Sequence, residues 1–163
     1  MAKRSARPSR PTRRVAISAG AATRVSGIRY IESSALLAAL LEHDAAALRS
    51  LRAEGRRVTS ALTFAEAARA IVRARVGGRL NPEEERAAVR GLRVFERRCY
   101  VAAVTDTILA RIGRPFPVEP IRTLDALHLA TAEDLGEPPQ LVTIVTRDVR
   151  VSDNARALGY SVE

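Results

Sequence analysis

LVTIVTRDVRVSDNARALGYSV, residues 141–162, holds the pattern on which the fold turns. Its first six residues make the most apolar strand-like run in the chain. RDVRVSDNARALG (147–159) then reads as a helix with a glycine stop, and YSV (160–162) as one more short strand. A helix between two strands serves to join parallel neighbours, which a tight hairpin cannot do. Moving outward from this unit, the alternation repeats. GIRYIE (27–32), RRVTSA (56–61) and CYVAAV (99–104) are three further strand candidates.

Helical patterns lie between them. SSALLAALLEHDAAALRSLRAEG (33–55) reads as two short helices ending at Gly55, and LTFAEAARAIVRARVGG (62–78) as one stopped by paired glycines. NPEEERAAVRGLRVFERR (81–98) starts with Asn as cap and Pro at the first helical position. TDTILARIG (105–113) breaks at the Pro115 and Pro117 loop, before the longer RTLDALHLATAEDLG (122–136). The order β-α-β-α-β-α-β-α-β, without an internal repeat, predicts a three-layer α/β/α fold with a mostly parallel five-stranded sheet.

The 163 residues and 47% apolar content suit one domain of that size. Cys99 is the only cysteine, which excludes an intrachain disulfide and any thiolate-rich metal cage. No apolar run approaches the roughly 20 residues a membrane span needs, so a soluble protein is expected. The net charge is +9, but its placement is uneven. Residues 1–27 hold seven of the 27 basic groups and no acid, leaving 20 bases against all 18 acids in 28–163. That opening stretch lacks any large apolar residue before Val15 and is read as a basic, disordered arm, with an RNA contact left open. Its VAISAGAA segment is short and weakly apolar for a signal peptide.

In a parallel sheet, chemistry gathers beyond the carboxyl ends of the strands. Glu32 ends the first strand and Asp148 follows the fourth by two residues, although both positions also suit helix caps. Asp125 shares a helical face with His128, Leu129 and Ala132 and has no basic partner among them; alternatively it is a first-turn acid after a Thr123 cap. Glu66 taken alone fits a capping box with Thr63, near Arg69 and Arg73 on a solvated face. Glu83, Glu84 and Glu85 read as first-turn acids. His128 is expected to be a hydrogen-bonded core residue, Cys99 to pack within a strand, and Asp153 and Asn154 to face solvent. Brought together, Glu32, Glu66, Asp125 and Asp148 would repel one another unless a cation lay between them. Hard oxygen donors without cysteine point to Mg²⁺ or Mn²⁺.

YIESSALLAALL (30–41), TSALTFAEAARAI (59–71), IRTLDALHLATA (121–132) and VTRDVRVSDNARALGY (145–160) resemble the four signature segments of PIN domains. More narrowly, residues 28–163 resemble the VapC group, the ribonuclease toxins of toxin-antitoxin modules. The resemblance implies a Mg²⁺-dependent (or Mn²⁺-dependent) endoribonuclease with Glu32, Glu66, Asp125 and Asp148 in the catalytic centre. Of these, Glu32, Asp125 and Asp148 would ligate metal, and Ser34 matches a supporting hydroxyl. Glu32 departs from the pattern, which usually has aspartate there. Arg147 and Arg150, flanking Asp148, are candidate RNA contacts. The resemblance further implies an RNA substrate, a cognate antitoxin whose C-terminal segment covers the cleft, a homodimer to which the 62–76 helix contributes, no membrane association and a cytoplasmic location. A catalytically weak PIN module that binds RNA or a protein without cutting is the alternative, kept open by Glu32.

Competing enzymes with acids at strand ends, the phosphoaspartyl receivers and haloacid-dehalogenase-like phosphatases, rely on an active-site lysine. Lys3 is the only lysine in the chain. A phosphate-binding GK[ST] loop is likewise missing from the sequence.

Overall fold

The computed structural model describes residues 27–163. The expectation for the basic arm, 1–27, therefore falls on residues that lie, Gly27 apart, outside the described ones. Five strands form one sheet: β1 (Ile28–Ile31), β2 (Arg56–Ser60), β3 (Tyr100–Ala102), β4 (Val142–Val145) and β5 (Ser161–Val162). Their spatial order is β3-β2-β1-β4-β5, and every neighbouring pair is parallel. The sheet is thus entirely parallel where the sequence predicted mostly parallel, and the three-layer α/β/α architecture is as expected.

Side-chain alternation along the central strands divides the core in two. Tyr30 and Ile144 point into a cluster with Ile108, Leu129 and Val151, under α5 (Asp106–Ile112), α6 (Thr123–Asp134) and α7 (Val149–Ala157). Ile31 and Val145, one residue on, face the opposite cluster with Leu36, Ala67 and Phe95. That side is covered by α1 (Ser33–Leu41), α3 (Ala61–Val76) and α4 (Pro82–Glu96), with α2 (Ala45–Arg52) packed on α1. The edge strand β3 is the least buried of the first four, so it needs less apolar content than β4.

Local chemistry explains the helix starts. Asn81 caps α4 through Glu83 N and Glu84 N, as its sequence predicts, and Glu84 Oε2 accepts in return from Asn81 N. The α3 start is a correction. Its cap is Ser60, not Thr63, because the helix begins immediately after β2, and Thr63 is wholly buried with its hydroxyl 2.7 Å from Thr59 Oγ1. Cys99 lies one residue before β3 and packs against the second cluster, where burial pushes its thiol up to about 12. Gly55, just ahead of β2, has φ of 131°, and a Cβ there would stand 2.6 Å from the Gly27 carbonyl oxygen. The glycine thus permits β2 to pass close beside β1.

Candidate functional site

The strand order runs outward from β1 to β2 and β3 on one side, and to β4 and β5 on the other. The topology therefore switches between β1 and β4, the place where a sheet of this kind leaves a crevice at the strands' carboxyl ends. The residue after β1 is Glu32 and the residue after β4 is Thr146. Both sit at this crevice, joined by the bond from Glu32 N to the Val145 carbonyl, 3.0 Å.

Glu32 is 4% exposed and caps α1. Its Oε1 accepts from Ser33 Oγ at 2.6 Å and from Ser34 N at 3.0 Å; its Oε2 accepts from Thr146 Oγ1 at 2.8 Å and from Ser34 Oγ. Four donors fill the four acceptor positions of a carboxylate. Ser34 in turn accepts from Arg147 N at 2.8 Å, and Thr146 Oγ1 from Asp148 N at 3.0 Å. The hydroxyls of Ser34 and Thr146 thereby tie the end of β1 to the loop after β4. Thr146 was not singled out from sequence, although its place directly after a strand is the signal that drew attention to Glu32.

Asp125 lies in the first turn of α6, but the Thr123 cap expected for it is not formed. Thr123 is already helical, Arg122 occupies the cap position, and no side chain caps the helix. Asp125 Oδ2 is buried without a hydrogen-bond partner among the described residues. Burial, and next the charges of Asp148 and Glu32, hold the Asp125 carboxyl above its usual range. These three acids are thus near enough to feel one another. Asp148 caps α7, its Oδ1 accepting from Arg150 N at 2.7 Å and Val151 N at 3.3 Å. The cap expected of that residue is thus formed.

Glu66 stands in the second turn of α3, and its carboxylate is not simply on a solvated face. Glu66 Oε2 lies 2.8 Å from His128 Nε2, which is itself 3.8 Å from Glu32 Oε1. Ligand-type atoms of Glu32, Glu66 and His128 fall within 4.8 Å of one another, but His128 Nε2 could ligate a metal ion only by giving up its bond to Glu66. His128 is buried and hydrogen-bonded as predicted, yet its partners, Glu66 and Tyr30, connect it to the crevice. The fit to a cation is carried by Asp125: a buried carboxylate oxygen with no donor among the described residues, on a carboxyl raised further by the charges of Asp148 and Glu32, is costly without positive charge.

The flanking arginines differ. Arg150 is exposed. Arg147 is folded back, its guanidinium 3.2 Å from the Thr146 carbonyl and 3.6 Å from Asp44. Asn154 is a correction, being 1% exposed instead of facing solvent. Its Oδ1 accepts from Val118 N at 2.9 Å and its Nδ2 donates to the Val118 carbonyl at 2.8 Å, which staples the loop before α6 to α7. Asp153 is exposed as expected, 3.6 Å from Arg156.

Among the described residues no helix is long and apolar enough to cross a membrane. The PIN domain family matches the chain over residues 29–157. The chain is similar to Ribonuclease VapC35 of Mycobacterium tuberculosis, at 36% identity over 137 residues, 82% of this chain and 93% of that protein. It is similar to Ribonuclease VapC46 of the same organism at 38% identity over 135 residues, 82% of this chain and 94% of the relative. Among solved structures, VapBC2 from Rickettsia felis bound to a DNA fragment from its promoter superposes with a TM-score of 0.59 at 14% identity, over 83% of this chain and 97% of that one. VapBC-1 from nontypeable Haemophilus influenzae gives 0.52 at 17% identity, over 83% and 96%. At these identities the structural likeness is one of fold.

Proposed function

The chain belongs to the PIN domain family, and from that premise we propose that it is a metal-dependent endoribonuclease, the toxin of a toxin-antitoxin module. The observation that carries the reading is the buried Oδ2 of Asp125, without a donor among the described residues and within reach of the charges of Asp148 and Glu32. Similarity to two proteins named as ribonucleases, over 82% of the chain, supports the same chemistry.

Asp125, Asp148 and Glu32 would hold a Mg²⁺ or Mn²⁺ ion, whose chemistry when bound is to activate a water and to neutralise charge on the attacked phosphate. Glu32 contributes charge and, through Ser34 and Thr146, fixes the two strand ends against each other. Glu66 projects into the same crevice from the opposite helical layer. Arg150 is exposed beside Asp148 and suits an RNA phosphate; Arg147 would reach one by leaving Asp44. An antitoxin protein as partner, and a homodimer through α3, complete the proposal. Val72 and Val76 of α3 are 42% and 83% exposed, which favours a covered face there. The cytoplasm is where such an enzyme meets its substrate.

A second reading, a PIN module that binds RNA without cutting it, is favoured by one observation. The Glu32 carboxylate already has a donor for each of its acceptor positions. The test is purified protein with RNA in Mg²⁺, in Mn²⁺ and in EDTA, alongside Asp125→Asn. Cleavage that needs the metal and falls by a factor of a hundred or more in the variant, about 3 kcal/mol in the barrier, is the expected result. RNA retained tightly but uncut in every metal would overturn the nuclease in favour of the module.

A further inference from the structure

Beneath the crevice, three polar side chains from three elements form a continuous chain. The Tyr30 hydroxyl, on β1, lies 3.0 Å from His128 Nδ1 on α6, and His128 Nε2 lies 2.8 Å from Glu66 Oε2 on α3. Tyr30 and His128 are each 1% exposed; Tyr30 belongs to an aliphatic and aromatic cluster, with the hydroxyls of Ser60 and Thr131 nearby. Phe and Leu would fill that space without two polar groups to satisfy. Packing alone therefore does not account for these residue types.

Hydrogen-bond direction does. A carboxylate oxygen only accepts, so the proton in the bond to Glu66 belongs to His128 Nε2. In the neutral ring Nδ1 is then an acceptor, and the Tyr30 hydroxyl, which burial keeps protonated, fills it. With the ring neutral, the chain runs one way: Tyr30 donates to His128, and His128 donates to Glu66. The same Nε2–H stands 3.8 Å from Glu32 Oε1, between two carboxylates that would otherwise meet with nothing to separate their charges. Glu66 Oε1, by contrast, takes no protein hydrogen bond among the described residues.

We propose that Tyr30 and His128 are positioning residues, a buried pair that holds Glu66 by Oε2 in one orientation and leaves Oε1 to serve the metal centre. The pair does for a carboxylate what outer-shell partners do for metal-bound histidines, where loss of the partner costs about 10–100-fold in metal affinity or activity. The inference rests on the cation centre proposed above, so its test separates the two.

The first measurement uses ¹⁵N-labelled protein in EDTA and reads the imidazole by long-range proton–nitrogen correlation. His128 is expected as the Nε2–H tautomer, and an Nδ1–H tautomer would overturn the chain. The second is Mn²⁺ binding without RNA, followed by electron paramagnetic resonance, in wild type, Tyr30→Phe, His128→Gln, His128→Leu and Asp125→Asn. The Gln side chain places an amide N–H near the position of Nε2, so His128→Gln should bind Mn²⁺ close to the wild-type level. His128→Leu should bind about 10–100-fold more weakly, and Tyr30→Phe should fall between them. Equal affinity in wild type, Tyr30→Phe and His128→Leu would overturn the proposal. Should His128→Leu fail to fold, Tyr30→Phe decides, since it removes one hydroxyl and keeps the ring. No Mn²⁺ uptake by the wild type would mean that the cation centre has failed and this inference with it. Uptake lost only in Asp125→Asn would overturn this inference alone.

Discussion

Two acids of one crevice stand in opposite states. Glu32 is met by four donors, whereas Asp125 Oδ2 has none among the described residues, and burial with the Asp148 and Glu32 charges holds the Asp125 carboxyl above its ordinary value of 3.8. A raised carboxyl binds its proton more tightly in the folded state than in the unfolded one. Ionisation therefore costs folded stability, and the loss builds as pH rises through 3.8 and the higher folded value. Asp125→Asn keeps the shape and removes that charge. In EDTA at neutral pH the variant is expected to melt higher than wild type, by about 2–4 °C for each kcal/mol relieved. The gain should shrink as pH falls from the raised folded value toward 3.8 and be absent below it, and Mn²⁺ should raise the melting temperature of wild type only. A variant that melts lower in EDTA would show Asp125 to be a stabilising helix-start acid. Asp125 was legible in sequence because a carboxylate on an apolar helical face is anomalous by itself. Glu66 was not. Its partner His128 is 62 positions away, and the Thr63-to-Glu66 spacing imitates a cap that Ser60 in fact provides.

At the scale of elements, strand and helix identities were readable, since apolar runs, glycine stops and the Asn81-Pro82 start are local signals. Tertiary roles of polar residues inside those elements were not. Asn154 shows why: with Asp153 beside it on a charged helix, sequence suggests solvent, but the loop before α6 folds onto that face and buries the amide. Its side chain accepts from Val118 N and donates to the carbonyls of Val118 and Arg150, which orients the amide without ambiguity. Asn154→Ala should destabilise the protein by about 1–3 kcal/mol, the cost of leaving buried polar groups without partners, and accelerate amide exchange at Val118. Asn154→Asp should be worse despite its identical size. One oxygen would still accept from Val118 N, while the other would face two carbonyl oxygens as a buried charge. Chemical denaturation of the two variants ranks them, and an Asp variant as stable as wild type would refute the staple.

For the molecule as a whole, the sheet is locked by a pair that joins its centre to its edge. Arg29, on the central strand β1 and 7% exposed, donates to both carboxylate oxygens of Glu163, at 3.1 and 2.6 Å, and to the Ser50 carbonyl at 3.0 Å. Glu163 follows β5 and pairs by backbone with Ile144 and Thr146, so the ion pair clasps β1 to the far side of β4. No sequence pattern marks this pair, because an arginine in a short strand reads as an exposed position. The Arg29 guanidinium, through hydrogen bonding and then charge, holds the Glu163 carboxyl below its ordinary value of 4.5. A depressed carboxyl stabilises the fold above its unfolded value, and that contribution disappears as pH falls through the lower, folded one. Glu163→Gln should therefore lose about 1–2 kcal/mol at neutral pH, less than a fully buried pair because the Glu163 side chain is 46% exposed. The loss should be constant from pH 7 down to 4.5 and then close as wild type itself protonates. Urea unfolding of both proteins across that range measures it. A difference that stays unchanged below pH 4 would mean that the carboxylate charge contributes nothing and that Arg29 is held by Ser50 and packing alone.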